Sequence, residues 1–405
     1  MIIGCLNGIL LVIASGLLII CSVLFIESIA AFLPIDKGIN KQPKQDKNQD
    51  KDIKFNVLIP AHNEEVVIRS TLENLIAKLD NLQNIVVVAD NCTDATAEIA
   101  RSTEVQVIER HEPNLRGKGY ALDYGLNYLK SQPPSVVVFV DADCQVSQGT
   151  IERITYKAAF NGRPVQATYL MSKSDNSNPK ASVSAFAFKV KNLVRPYGLS
   201  RLGQPCLLTG TGMAFPWKVI NSVDIASSNI VEDMKLGFDL SLAGYPPMFC
   251  PQSKVIGYLP LEVQTAKQQR TRWEHGHLQT LLTYVPLLLK AAVKQKRFDL
   301  FVSAIDLCIP PLSLLVIAWL GITSFTFVTG LLLAIWTPAI ILSFAGILLL
   351  VAILSAWAKF GRSDLPIQQL LMIPIYILWK IPLYLQFLVK RQKTWIRTTR
   401  DSVNL

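Results

Sequence analysis

The chain of 405 residues has no CxxC pair among its seven cysteines (Cys5, Cys21, Cys92, Cys144, Cys206, Cys250 and Cys308). Thiols scattered in this way argue against a disulfide framework or a zinc site and fit a reducing compartment. Histidine is scarce, with four in all, and His275 and His277 stand two apart, which is not a metal-ligand spacing for a helix. Charged residues are also few, at 17%. No GxxxxGK[ST] phosphate loop, zinc-finger spacing or aromatic RNA-binding signature is present. The formal net charge of +10 therefore points to anionic lipid or an anionic small substrate rather than to nucleic acid. No internal repeat is found.

What is abundant is apolar sequence, half of all residues, concentrated at the two ends. The length allows one large domain with accessory parts. Residues 6–32 are almost wholly apolar and long enough to cross ~30 Å of hydrocarbon as a helix. A signal peptide is the competing assignment, but no Lys or Arg precedes the run and no clear cleavage motif follows Glu27. A retained anchor is the expectation. Lys37, Lys41, Lys44, Lys47, Lys51 and Lys54 follow among Gln, Asn and Asp, which by the positive-inside rule puts a solvated tether in the cytoplasm. Residues 268–298 mix basic and apolar character, as a helix pair at a membrane surface would. Residues 301–328 and 331–357 are two further spanning candidates, and a turn with Lys359 and Arg362 follows. Residues 367–389 are apolar but carry Pro374, Lys380 and Pro382 and lead into Lys390, Arg391 and Lys393, which suits a re-entrant or interfacial helix as much as a further span. The expected divisions are an anchor at 1–33, a linker at 34–54, a globular domain at 55–265, a basic interfacial segment at 266–299, two spans at 300–357, and a final helix and tail at 358–405.

Within the globular part, FNVLIP, NIVVVAD, EVQVIER and SVVVFVDAD are short, β-branched runs, and residues 64–79, 95–102 and 119–130 read as helices between them. Such alternation predicts an α/β domain with a mostly parallel sheet, whose ligands bind beyond the carboxyl ends of the strands. The chemistry-bearing residues fall there. In Pro60-Ala61-His62-Asn63-Glu64-Glu65 a helix N-terminus would attract a phosphate or a polar base edge, or Asn63 simply caps the helix. Asp90 ends a buried strand, a costly position for a carboxylate without a partner or ligand. Arg116-Gly117-Lys118-Gly119 is either a diphosphate-binding loop or a mobile basic one. Asp141 and Asp143 are two apart after Val136–Val140, so on an extended chain both carboxylates would project the same way. A hard divalent cation would relieve their repulsion. Further on come Thr209-Gly210-Thr211-Gly212, then Glu232 and Asp233 opening an amphipathic helix, then Gln269-Arg270-Thr271-Arg272-Trp273. Arginine forks suit phosphate oxygens and tryptophan faces suit sugar rings, though a basic helix snorkelling at a membrane surface looks similar.

The set, in order, resembles the inverting family 2 glycosyltransferases with a GT-A domain, a Rossmann-like mixed sheet for nucleotide-diphospho-sugars. It is similar to the membrane enzymes of exopolysaccharide synthesis, akin to cellulose, hyaluronan and poly-N-acetylglucosamine synthases. The wording RGKGYALDYG, VFVDADC, LTGTGMAF and VEDMKLG is most similar to methanolan-type transferases. The resemblance spans Phe55 to Trp273. It implies a hexosyltransferase with a divalent cation (Mg2+ or Mn2+) at Asp143, and a nucleotide-sugar, with UDP as carrier. Glu64, Asp90, Lys118, Asp141 and Arg272 would hold the nucleotide and diphosphate. Asp233, with Glu232 beside it, would be the general base, and Gly210, Gly212, Gln269 and Trp273 would meet the acceptor. It further implies an integral protein of a bacterial inner (plasma) membrane, in contact with its lipids, with the catalytic domain cytoplasmic and a polysaccharide or lipid-linked acceptor. The spans are fewer than pore-forming synthases use, and the chain ends soon after Trp395 with no C-terminal regulatory domain. Non-processive transfer to a ceramide- or polyprenyl-type lipid is therefore a second expectation, as is a polymerase working with a second copy or an export partner. A non-catalytic subunit of an export complex is the third.

Overall fold

The computed structural model describes residues 2–34, 53–79, 81–172, 179–259 and 262–389. Lys37, Lys41, Lys44, Lys47 and Lys51 of the expected tether, and the basic tail from Lys390, lie outside the described residues. The chain begins with helix α1 (Ile2–Ala30), then enters a domain of strands and helices: β1 (Phe55–Ala61), α2 (Ile68–Ile76), β2 (Ile85–Asp90), α3 (Thr96–Arg101), β3 (Gln106–Arg110), α4 (Lys118–Leu129) and β4 (Val136–Phe139). These four strands are parallel, in the spatial order β3-β2-β1-β4. Side chains alternate between two cores. Ile59, Val87 and Val138 face one with Leu72 and Leu75 of α2, while Leu58, Val86, Val88 and Phe139 face the other with Leu122 and Leu126 of α4. Burial on both faces is why these strands read as unbroken apolar runs.

The sheet continues with β5 (Gln145–Val146), α5 (Thr150–Asn161) and β6 (Val165–Ser172). Next come α6 (Pro179–Lys189), a π-helical turn at Val190–Val194, α7 (Arg195–Arg201), β7 (Met213–Pro216), α8 (Trp217–Ile220), α9 (Glu232–Leu242) and β8 (Met248–Tyr258). Strand β7 runs antiparallel to both β4 and β6, and β8 pairs parallel with β6, giving a mixed eight-stranded sheet. The helix expected from residue 64 starts later, at Ile68. Asn63 has a positive φ of 55°, and the amides of Val67 and Ile68 both donate to the Glu64 carbonyl at 3.0 and 2.9 Å. Residues 64–67 are thus a turn at the sheet edge.

Among the described residues, three helices are long and apolar enough to cross a membrane: α1, α12 (Leu312–Leu333), and α13 (Thr337–Ala356) with the π-helical turn that extends it to Gly361. Two expectations are corrected. Residues 268–298 form no helix pair, because α10 (Val263–Gln295) continues through Pro286 as one helix of 33 residues. The apolar run from 301 is divided: α11 (Phe298–Leu307) ends before Pro310 and Pro311, and the span starts only at Leu312. A proline has no amide hydrogen to continue a helix. Helix α14 (Ile373–Val389) has 17 residues, about 25 Å at 1.5 Å each, short of a ~30 Å bilayer core. Its buried Lys380 pairs with Glu274 of α10, and the His275 ring lies 3.1 Å from the Leu383 carbonyl.

Helix α1, the first candidate span, is fastened to the domain by charge. Arg195 Nε donates to Glu27 Oε2 at 2.9 Å, and Arg195 Nη2 donates to Asp306 Oδ1 at 2.5 Å and to its carbonyl at 2.7 Å. One turn on, Gly198 lets α7 press against α1: a Cβ there would lie 1.9 Å from the Glu27 carbonyl oxygen. Backbone cannot yield as a side chain does, so Gly198→Ala forces the helices apart. Overpacking of this kind costs about 1–3 kcal/mol. A thermal melt of the purified protein should fall by several degrees, while Gly321→Ala, with open space around it, should leave the melt unchanged or slightly raised.

Candidate active site

A cleft of about 290 Å³ opens past the carboxyl ends of β1, β2 and β4. Its lining includes Glu64, Asp90, Lys118, Asp141, Asp143, Gly210, Glu232, Asp233, Gln269, Arg272 and Trp273. Of the residues to which the resemblance gives a binding or catalytic role, Gly212 alone does not line it. With φ at +64°, Gly212 faces the sheet, where a Cβ would lie 2.6 Å from Val255 Cγ2 and 3.0 Å from Ala167 Cβ. Its contribution is the shape of the turn.

Gly210 marks the centre. A Cβ on it would lie 3.5 Å from Asp233 Oδ2, 3.7 Å from Lys118 Nζ and 4.0 Å from Asp141 Oδ2. Lys118 opens α4, where it pairs with Asp141, donates to the Gly210 carbonyl at 2.6 Å and sits 3.8 Å from Glu232. The Asp141 amide is held by Thr211 Oγ1 at 3.0 Å. Burial raises Asp141, Glu232 and Asp233 above the usual carboxylate range, against the pull of Lys118. On Lys118 itself burial works against the charge, but Asp141, Glu232 and Asp233 outweigh it, and its pKa ends above the ordinary lysine value.

Asp141 and Asp143 converge, though not by strand geometry. They follow β4 in a turn that the Cys144 amide closes onto the Asp141 carbonyl at 3.2 Å. Their carboxylates and the Cys144 sulfur offer ligand atoms within 4.8 Å of one another. Burial pushes the Cys144 thiol well above its ordinary value. The two carboxylates supply hard oxygen ligands, which fit Mg2+ or Mn2+.

At the other end of the cleft lie Glu64, His62, Asp90 and Asn91. Asp90 is paired with Arg110 at 2.5 Å, and burial raises its pKa in spite of that partner. Two loops are laced together there: the Glu64 amide donates to Thr96 Oγ1 at 2.7 Å, and the Thr93 amide to Asn63 Oδ1 at 2.7 Å. Asn63 caps no helix. Gln269, Arg272 and Trp273 stand at positions i, i+3 and i+4 near the start of α10, so one helix face delivers all three. The Trp273 ring rests against Phe188 at 5.6 Å between centroids. Arg270, which could have snorkelled, is nearly buried, with its guanidinium 5.6 Å from the centre of the Trp379 ring.

The cleft has further residues that motif logic missed: Lys191, Asn192 and Arg195 from the π-helical turn and α7, Tyr376 and Lys380 from α14, and Glu274 and His277 from α10. Only Lys380 carried a signal, as a lone cation in an apolar run.

A family model described as glycosyltransferase-like family 2 matches residues 53–276. A poly-beta-1,6-N-acetyl-D-glucosamine synthase of Staphylococcus aureus is 25% identical over 277 residues, 65% of this chain and 63% of that protein. YdaM of Bacillus subtilis, which bears a provisional glycosyltransferase name, is 27% identical over 287 residues, 64% of this chain and 63% of its own. The chain spans less than two thirds of the length of the curated relatives it matches. A mannosyltransferase from Pyrobaculum calidifontis, solved with GDP-Man and Mn2+, shares the fold. Its TM-score is 0.55 at 17% identity, covering 87% of this chain and 99% of that one. With its GT-A-like mixed sheet and a match across residues 53–276, the chain belongs to glycosyltransferase family 2.

Proposed function

We propose that the cleft transfers a sugar from a nucleotide-sugar to a hydroxyl of a growing polysaccharide or lipid-linked saccharide, with inversion, at the cytoplasmic face of a bacterial inner membrane. One observation carries this: Asp233, Lys118 and Asp141 converge within about 4 Å of a single point at Gly210, beside a carboxylate pair that fits a divalent cation. Glu64 and Asp90 hold the nucleotide. Lys118 and Arg272 take the charge of the diphosphate, and Asp143, with Asp141 beside it, holds the cation. A bound divalent cation supplies electrostatic stabilisation of the diphosphate leaving group. Asp233 accepts the proton of the acceptor hydroxyl as its oxygen bonds to the anomeric carbon. The bond from that carbon to the diphosphate oxygen breaks, and its electron pair leaves with the nucleoside diphosphate. A single displacement needs no covalent sugar-enzyme intermediate. Glu232 keeps the Lys118 ammonium in register from 3.8 Å. Trp273 and Gln269 wall the acceptor sugar, and Gly210 leaves room for the reacting atoms. The lysine-rich segment after the first span supports the cytoplasmic orientation.

The test is turnover by the full chain in detergent, with UDP-sugars and GDP-sugars, in Mg2+, Mn2+ or EDTA. Both nucleotides belong in the panel: UDP follows from the sequence resemblance, and the Pyrobaculum enzyme was solved with GDP-Man. Metal-dependent nucleotide release from one donor is expected, with Asp233→Asn slower by about 10²–10⁴, the usual weight of a positioned base. Release that persists undiminished in EDTA and in the variant would remove both the cation and the base from the scheme. Product mass then separates a polymer ladder from one discrete glycolipid.

Gly210→Ala puts a methyl group 3.5 Å from Asp233 and strains a φ of +95°. Transfer should drop at least tenfold; transfer at the wild-type rate would show that the reacting atoms lie elsewhere. The raised pKa of Asp233, caused first by burial, sets a sign for pH. The base works only when deprotonated, so kcat/KM should fall on acidification along a limb lying above the ordinary Asp value of 3.8, and Asp233→Asn should flatten that limb.

A further inference from the structure

The cleft does not stop at the carboxylates. Part of its wall comes from Leu24 of α1, from Ile309, Pro310 and Leu312 between α11 and α12, and from Tyr376 of α14. Leu24 lies near the last turns of one candidate span and Leu312 opens another. Both therefore face the cleft near adjoining ends of two candidate spans. This wall is hydrocarbon, yet the elements that build it also bring Lys191, Arg195, Arg270, Arg272 and Lys380 to the lining against one carboxylate, Glu274. Arg195 is occupied by Glu27 and Asp306, and Lys380 by Glu274. Lys191 differs: its ammonium has no ion-pair or hydrogen-bond partner among the described residues, and burial lowers its pKa although Asp233 pulls the other way.

One more group on this wall is unspent: Asn192 Oδ1 is buried without a hydrogen-bond partner, on a residue 3% exposed that lines the cleft. An unsatisfied buried polar group is costly, and a ligand that supplies the missing partner removes the cost. Lys191 and Asn192 both belong to the π-helical turn Val190–Val194, a widened turn often found at functional sites.

We infer that this end of the cleft is the acceptor subsite for a phosphate-bearing membrane lipid that carries a free hydroxyl beyond its phosphate, an inference that rests on the transferase function proposed for the cleft. The hydrocarbon lies along Leu24, Ile309 and Leu312, the phosphate meets Lys191, and Asn192 orients the hydroxyl toward Asp233. In the transfer, that hydroxyl gives its proton to Asp233 and its oxygen bonds to the anomeric carbon. The carbon's bond to the donor diphosphate breaks, the electron pair leaves with the nucleoside diphosphate, and the lipid's own phosphate ester stays intact.

The experiment uses the full chain in a phosphate-free detergent, with lipid retention read by native mass spectrometry. The probes are phosphatidylglycerol, diacylglycerol with the same chains, and soluble sn-glycerol 3-phosphate. Phosphatidylglycerol should bind at least about tenfold more tightly than diacylglycerol, and excess sn-glycerol 3-phosphate should not displace it. Lys191→Gln should weaken phosphatidylglycerol about tenfold or more, as expected for loss of a hydrogen bond to a charged group, and Lys191→Arg should restore it. Equal retention of the two lipids, or an unchanged Lys191→Gln, overturns the subsite. Displacement by sn-glycerol 3-phosphate at comparable concentration also overturns it, because the site would then be one for a soluble anion. Nucleoside diphosphate binding, measured on the same samples, reports on the fold of each variant. Failure of wild-type protein to bind any nucleotide would count against the donor assignment, while the lipid comparison still judges this wall.

Discussion

The Lys118 ammonium, held by Asp141, by the Gly210 carbonyl at 2.6 Å and by Glu232 at 3.8 Å, is what makes the rest of the cleft tenable. Asp141, Asp143, Glu232 and Asp233 share one lining, and like charges about 4 Å apart repel by roughly 4 kcal/mol at a dielectric typical of a protein surface. Without a cation among them, such acids would take up protons or move apart. The first residue of α4, the Gly-rich turn before β7, the turn after β4 and the start of α9 therefore have to meet at one place. The lysine that calms the acids in the free protein is, in the proposed reaction, also one of the cations that take the charge of the departing diphosphate.

A second charge cluster does the same where the candidate spans meet the domain. Arg195 is 5% exposed and faces two carboxylates, Glu27 of α1 and Asp306 of α11. Removing one partner of a buried pair leaves an uncompensated charge, typically costing about 3–5 kcal/mol. The π-helical turn lies immediately before Arg195 and carries Lys191 and Asn192 into the cleft. The packing of α1 against the domain and the shape of that end of the cleft are thereby one mechanical unit, in which α1 is a wall of the cleft as well.

Much of this was legible in the sequence for physical reasons that can be named. The parallel half of the sheet was visible because its strands are buried on both faces, and Asp90, Asp141 and Lys118 stood out because each follows or opens an element at the sheet edge. The strand argument for Asp141 and Asp143 gave convergence for the wrong cause, since a turn rather than an extended chain brings them together. The expectation of a span from residue 301 rather than from Leu312 follows from letting hydropathy outweigh Pro310 and Pro311, which are the clearer sign. Lys191, Asn192 and His277 could not be found in this way. Their surroundings are assembled from α1, α11, α12 and α14, and nothing in the local pattern tells a lysine facing a cleft from one facing water.

The central claim, that this cation-balanced cluster is a nucleotide-diphosphate site, is tested most directly by calorimetric titration of UDP and GDP into the full chain, with Mn2+ or with EDTA, beside Lys118→Gln. Binding of at least one nucleotide that requires the metal and weakens about tenfold or more in the variant is the predicted result. Binding of equal strength in EDTA and in Lys118→Gln, or no binding of either nucleotide by folded wild-type protein, would contradict it.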